Sequence, residues 1–164
     1  MKVRKYQNHD YKEVLRMLSE SMDYHMEIAD PTIFKKSSDK LMSNYLRHMV
    51  AKAKRPKAIL FVAEDDKKEL VGFVYGEIPK YSLERTRVGK KCGVVHEIYV
   101  MEDQRMKGVA TELIIEMEAI TKELGCELIR LKDVHHKNES AIRLYKKLGY
   151  NVRVMEFAKL LTQS

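Results

Sequence analysis

"VVHEIYVMEDQRMKGVATEL" (94–113) holds the transition on which the fold turns. An apolar run with strand character, 94–100, gives way within a few residues to a segment of helical periodicity. At the junction stand two small residues, Gly108 and Ala110, behind two cations, Arg105 and Lys107. The first N–H groups of a helix have no internal partner, and the helix dipole leaves positive character there, so an anion is the natural ligand. Glycine lets such a ligand approach the backbone and tolerates a positive φ. The stretch therefore reads as a phosphate-holding turn between a strand and a helix. Neither the P-loop pattern nor the dinucleotide G-x-G-x-x-G pattern occurs in the chain.

Outward from this turn, the elements fall in the order β-α-α-β-β-β-α-β-α-β. Residues 1–6 suit a short strand. Asp10, with Glu13 three residues on, has the pattern of a capping box before a helix carrying Val14, Leu15, Leu18 and Met22. Pro31 ends that helix. A second helix from Ser38 or Asp39 to about Ala53 turns Leu41, Tyr45, Leu46 and Met49 inward. The strands 58–64 and 69–78 are joined by "DDKK" as a hairpin, and the cation-rich 80–91 reads as an exposed loop. Val109, Leu113, Met117, Ile120 and Leu124 share a helical face that Gly125 ends, and 127–134 is a strand. Asn138 caps a last helix that Gly149 closes, and 150–161 has strand character. The strands 92–100 and 127–134 flank a helix and should run parallel with a right-handed crossover. The expected architecture is a mixed α/β (α+β) fold, a mostly antiparallel sheet flanked by helices, in a single domain over 1–164.

Composition narrows the classes. The 164 residues are 45% hydrophobic and 34% charged, with a net charge of +7, which favours an anionic partner. No apolar run is long enough to span a membrane, and "MKVRKYQNHD" lacks the apolar segment of a signal peptide, so a cytoplasmic home is the expectation. Cys92 and Cys126 lack metal-ligand spacing and read as free thiols. His135 and His136, adjacent on a strand, would point oppositely, and no ligand cluster accompanies them, so no metal is expected. Basic and aromatic residues do not alternate as a nucleic-acid-binding surface would require.

Arg105, Gly108 and Ala110 form R-x-x-G-x-A after a strand ending in "EIYV". This resembles the acetyl-coenzyme-A-binding motif of the GCN5-related N-acetyltransferase (GNAT) superfamily, Q/R-x-x-G-x-G/A. "NESAIRLYKKLGY" (138–150) resembles the family's late motif, with Asn138, Ala141, Tyr145, Gly149 and Tyr150 in place, and "EIADPTIF" (27–34) resembles its E-x-x-D-P segment. Met106 departs from the pattern, since many members carry glycine there; its side chain must point away from the pyrophosphate or crowd it.

The resemblance implies that amides from about Met106 through Lys107, Gly108, Val109 and Ala110 to Thr111 cradle the pyrophosphate of acetyl-CoA. It also implies that the cofactor lies in a gap where strands 92–100 and 127–134 splay apart. That places Ile98, Tyr99, Val100, Arg105, Asn138, Ala141 and Tyr145 along it. It further implies that Tyr145 protonates the departing thiolate; a core tyrosine is the alternative.

Alternation puts Val95, Glu97 and Tyr99 on one face of the strand and Val94, His96, Ile98 and Val100 on the other. A carboxylate in so apolar a strand is costly unless hydrogen-bonded or wet. Glu97 is thus the candidate general base, with His96 as rival only if a bulge turns it to the same face. An exposed or lysine-paired Glu97 is the structural alternative. Acids near the first helix, Glu27 and Asp30 among them, would draw a cationic amine, whereas 51–57 and 80–91 would draw an acidic molecule or peptide. The reading is an N-acetyltransferase acting on a primary amine, a small molecule ahead of a protein N-terminus or lysine. A non-catalytic acyl-CoA sensor and a basic nucleic-acid-binding module are the alternatives, and a homodimer through the terminal strands is open.

Overall fold

The structure, a computed structural model, describes residues 1–29, 38–79 and 91–158. Five strands lie side by side in chain order: β1 (Lys2–Lys5), β2 (Ala58–Glu64), β3 (Leu70–Glu77), β4 (Cys92–Val100) and β5 (Leu128–Leu131). β1 to β4 pair antiparallel and β4–β5 parallel. The helices are α1 (Tyr11–Ile28), α2 (Asp39–Ala53), α3 (Val109–Glu123) and α4 (Glu139–Lys147). This is the expected mixed architecture.

Two apolar layers sandwich the sheet. On one face Val14, Met17 and Leu18 of α1 and Met42, Leu46 and Met49 of α2 pack on Leu60, Val62, Phe73, Tyr75 and Tyr99. On the other, Val109, Leu113 and Met117 of α3 pack on Val74, Val95 and Val100. α3 sits close because β4 offers Gly93: a Cβ there would lie 2.4 Å from Thr121 Cγ2.

Several expectations are corrected. Leu41 is 54% exposed, and Met42 takes its inward place, because 42, 46 and 49 form the stripe that meets the sheet. Asp10 caps nothing with its side chain at the start of α1. Its carboxylate is held by Arg4 at 2.7 and 2.8 Å and by the Gln7 N–H, while Glu13 pairs with Arg16. The strand expected over 127–134 shortens to Leu128–Leu131, and His135 and His136 lie beyond it with their rings stacked 4.6 Å apart. The strand expected over 150–161 does not form in 151–158, where Val152, Val154, Met155 and Phe157 are all exposed. Strand composition needs a partner edge to become a strand, and this segment has none among the described residues. Positions 159–161, Asp30, Pro31 and the 80–90 part of the loop lie outside the described residues.

The decisive correction is in β4. Tyr75 pairs with Glu97, but the next residue of β3, Gly76, pairs with Val95. His96 is therefore the extra residue of a β-bulge, and the alternation of side chains resets across it. Val95 packs with Ile98 and Val100 on the α3 side, while Tyr99 packs on the α1–α2 side. Glu97 is bonded to Tyr45 of α2, and the His96 ring lies 5.9 Å from that of Tyr75, so both residues look toward α2.

Candidate active site

β4 and β5 pair only from Cys92–Leu128 to Val95–Leu131, with one further bond from Lys132 N–H to Val95 O. β4 continues five residues further, to Val100, with no ladder to β5. The strands part at the bulge. Val100 O accepts from Arg105 Nε on this open side, while the Met101 N–H bonds Val71 of β3. Period-two alternation then turns the Ile98 N–H into the gap.

Glu97 stands at the head of the gap. Tyr45 Oη donates to its Oε1 at 2.9 Å. Burial pushes the Glu97 carboxyl above the ordinary carboxylate range; the Tyr45 bond pulls it back, and Asp133 adds to the rise. Burial, with Glu97 beside it, also pushes the Tyr45 phenol up, so Tyr45 stays a donor.

At the other end of the gap, α3 begins without a side-chain cap. Gly108 takes φ +88°, and beyond the adjoining backbone no atom lies within 4 Å of where its Cβ would be. Met106 is 98% exposed, with φ +62°. It thus adopts the left-handed conformation that glycine favours and points its thioether to solvent. Arg105 is turned away from the helix start: its guanidinium lies 5.1 Å from the Tyr24 ring and 5.8 Å from the Tyr99 ring. Lys107 donates to Gln104. An uncapped helix start, with open space at Gly108, suits a phosphate group on the backbone amides. The two cations would add only long-range charge unless they swing round.

α4 borders the gap. Asn138 caps it through the Ala141 N–H at 3.2 Å and also accepts from Tyr24 of α1 at 3.4 Å. Tyr145 packs edge-on against Tyr150, whose hydroxyl donates to Glu118 of α3. Burial pushes the Tyr145 phenol up to about 12. Glu97 thus belongs to the α2 side and Tyr145 to the α3–α4 side, and no hydrogen bond joins them. Glu27 is exposed near the end of α1, and nothing ties it to Glu97. Sequence reasoning placed Tyr45 inward but missed it as the partner of Glu97. A tyrosine on an otherwise apolar helix face, opposite a strand carboxylate, was the available signal.

The model of the acetyltransferase (GNAT) family matches residues 19–150. The chain belongs to that family. Its fold is shared with a tetramutant of the BH1408 protein of Bacillus halodurans (TM-score 0.82, 22% identity, 98% of this chain and 100% of that one). It is also shared with an aminoglycoside 6'-N-acetyltransferase of Acinetobacter haemolyticus (TM-score 0.71, 19% identity, 99% and 100%). A third is AAC(6')-Iy in complex with the bisubstrate analog CoA-S-monomethyl-acetylneamine (TM-score 0.71, 16% identity, 97% of each chain). No curated protein matches in sequence. Acetyl-CoA is the typical acyl donor of this family. No helix among the described residues is long and apolar enough to cross a membrane.

Proposed function

We propose that this GNAT acetyltransferase is a single-domain enzyme that moves an acetyl group from acetyl-CoA to a primary amine of a small molecule by direct attack. One observation carries the reading: a half-buried, tyrosine-bonded carboxylate, Glu97, stands where β4 and β5 part, on the same gap as the uncapped start of α3. The amides from Met106 to Thr111 hold the pyrophosphate, and Ile98 to Val100, Asn138 and Ala141 line the path of the donor.

A substrate amine has a pKa near ~10.4, so at neutral pH about one molecule in a thousand is nucleophilic. Glu97, its carboxyl pushed above the ordinary carboxylate range by burial, takes the ammonium proton. The amine nitrogen bonds the thioester carbonyl carbon, and the Ile98 N–H donates to the developing oxyanion. The C–S bond then breaks as the nitrogen gives up its second proton, and Tyr145, protonated across the neutral range, gives its proton to the sulfur.

Calorimetric titration with acetyl-CoA, with ATP and NAD as controls, tests the donor site. An amine panel assayed by release of free thiol then tests the reaction. Selective micromolar binding with thiol release supports the reading. Binding without transfer to any amine makes the chain an acyl-CoA sensor, and no binding removes the donor site altogether.

A further inference from the structure

Beside Glu97 lies a second polar cluster. β3 supplies Tyr75 and Glu77, α2 supplies Lys52, and the segment after β5 supplies Lys132 and Asp133, all facing His96. Lys52 Nζ grips both Glu77 carboxylate oxygens, at 2.9 and 3.2 Å. Glu77 Oε1 stands 3.3 Å from His96 Nε2. That contact is not an aligned hydrogen bond, and His96 Nε2 is a buried nitrogen with no hydrogen-bond partner among the described residues. A buried imidazole nitrogen is costly to leave unpaired, so water, substrate or a closer Glu77 must meet it. The bulge residue is also the one place on β4 where two successive side chains look to the same face.

We propose that His96 is a second proton acceptor of the site, faced at its Nε2 by Glu77, which Lys52 in turn holds in place. The inference rests on the acetyl-transfer reading and supplies what its proton balance needs. An ammonium that becomes an amide gives up two protons. Glu97 takes the first, before the C–N bond forms. His96 takes the second from the nitrogen as the C–S bond breaks, and the resulting imidazolium is stabilised by Glu77. Tyr145 loses one proton to sulfur. At the end the two acceptors hold two protons and the phenol lacks one, so one proton restores Tyr145 and one leaves to solvent. Burial lowers the pKa of His96, with Glu77 partly opposing, so the ring is neutral and able to accept at pH 7.

The test uses the full chain with spermidine, tyramine, kanamycin and a tripeptide with a free N-terminus, and takes whichever turns over fastest. Comparing His96→Gln with the parent on one amine cancels the amine's own ionisation. We expect kcat to fall by about a hundredfold, the slope of the acid limb of log kcat/KM to drop by one, and acetyl-CoA affinity to hold. An unchanged slope, or a loss confined to KM, overturns the role of His96. An NMR titration of the His96 ring in Glu77→Gln gives a readout without turnover: its midpoint should fall, and an unmoved midpoint overturns the pairing. A chain that binds acetyl-CoA but transfers to no amine overturns the acetyl-transfer reading and this inference together. Turnover with an unaltered His96→Gln profile overturns the inference alone.

Discussion

Removing one hydroxyl, in Tyr45→Phe, isolates the ionisation of Glu97. Tyr45 Oη lies 2.9 Å from Glu97 Oε1 and is the hydrogen bond that offsets burial and the Asp133 charge. A hydrogen bond to a charged acceptor contributes about 1.5–3 kcal/mol. Glu97 is only half-buried, so water recovers part of this. A net loss of about 1.4 kcal/mol from the ionised form is a factor of about ten in its population. On the acid limb of kcat/KM, where the carboxyl is mostly protonated, the variant should therefore be about tenfold slower than the parent on the same amine. The two should converge at alkaline pH. Thiol release followed from about pH 5 to 9 measures the ratio directly, and the ionisation of the amine cancels in it. A ratio constant across pH would refute the reasoning: either Glu97 is not the ionising base or Tyr45 acts on the substrate instead.

Gly108→Ala puts an L side chain at φ +88°, a cost of about 1–2 kcal/mol that the free turn sheds by relaxing and binding must restore, so acetyl-CoA affinity, read by calorimetry, should weaken about tenfold. Tyr145→Phe should lower kcat about a hundredfold while leaving acetyl-CoA binding unchanged; full turnover would remove the acid role. Glu97→Gln tests linkage. A carboxyl whose folded pKa is raised contributes stability that is complete below its ordinary value and is lost as pH rises through the folded value. The neutral variant should therefore melt higher than the parent at about pH 8 and lose that advantage at about pH 4, whereas a difference independent of pH would refute the burial of the charge.

Much of the site was legible because local chemistry dictates it. Gly125 and Gly149 end their helices at φ +76° and +88°, as residues without Cβ do, and Asn138 caps α4 through the Ala141 N–H. Gly108 takes its left-handed turn at the start of α3 for the same reason. Helical period alone selected Leu46 and Met49, and it erred at Leu41, because a stripe's exact azimuth depends on the sheet it meets.

The sequence by itself determined the order of elements as far as α4, the strand-to-helix turn at 100–109, the cap at Asn138 and the presence of a carboxylate at 97. These follow from periods, backbone freedom and residue type, which act within a few residues. Only the tertiary structure decided that His96 and Glu97 share a face, that Tyr45 holds Glu97, and that Arg105 lies against Tyr24 and Tyr99. It also decided that 151–158 pairs with no strand among the described residues. A bulge is a mismatch between two strands, and strand pairing needs a partner edge. Neither is written in one segment, because each arises only when distant segments meet.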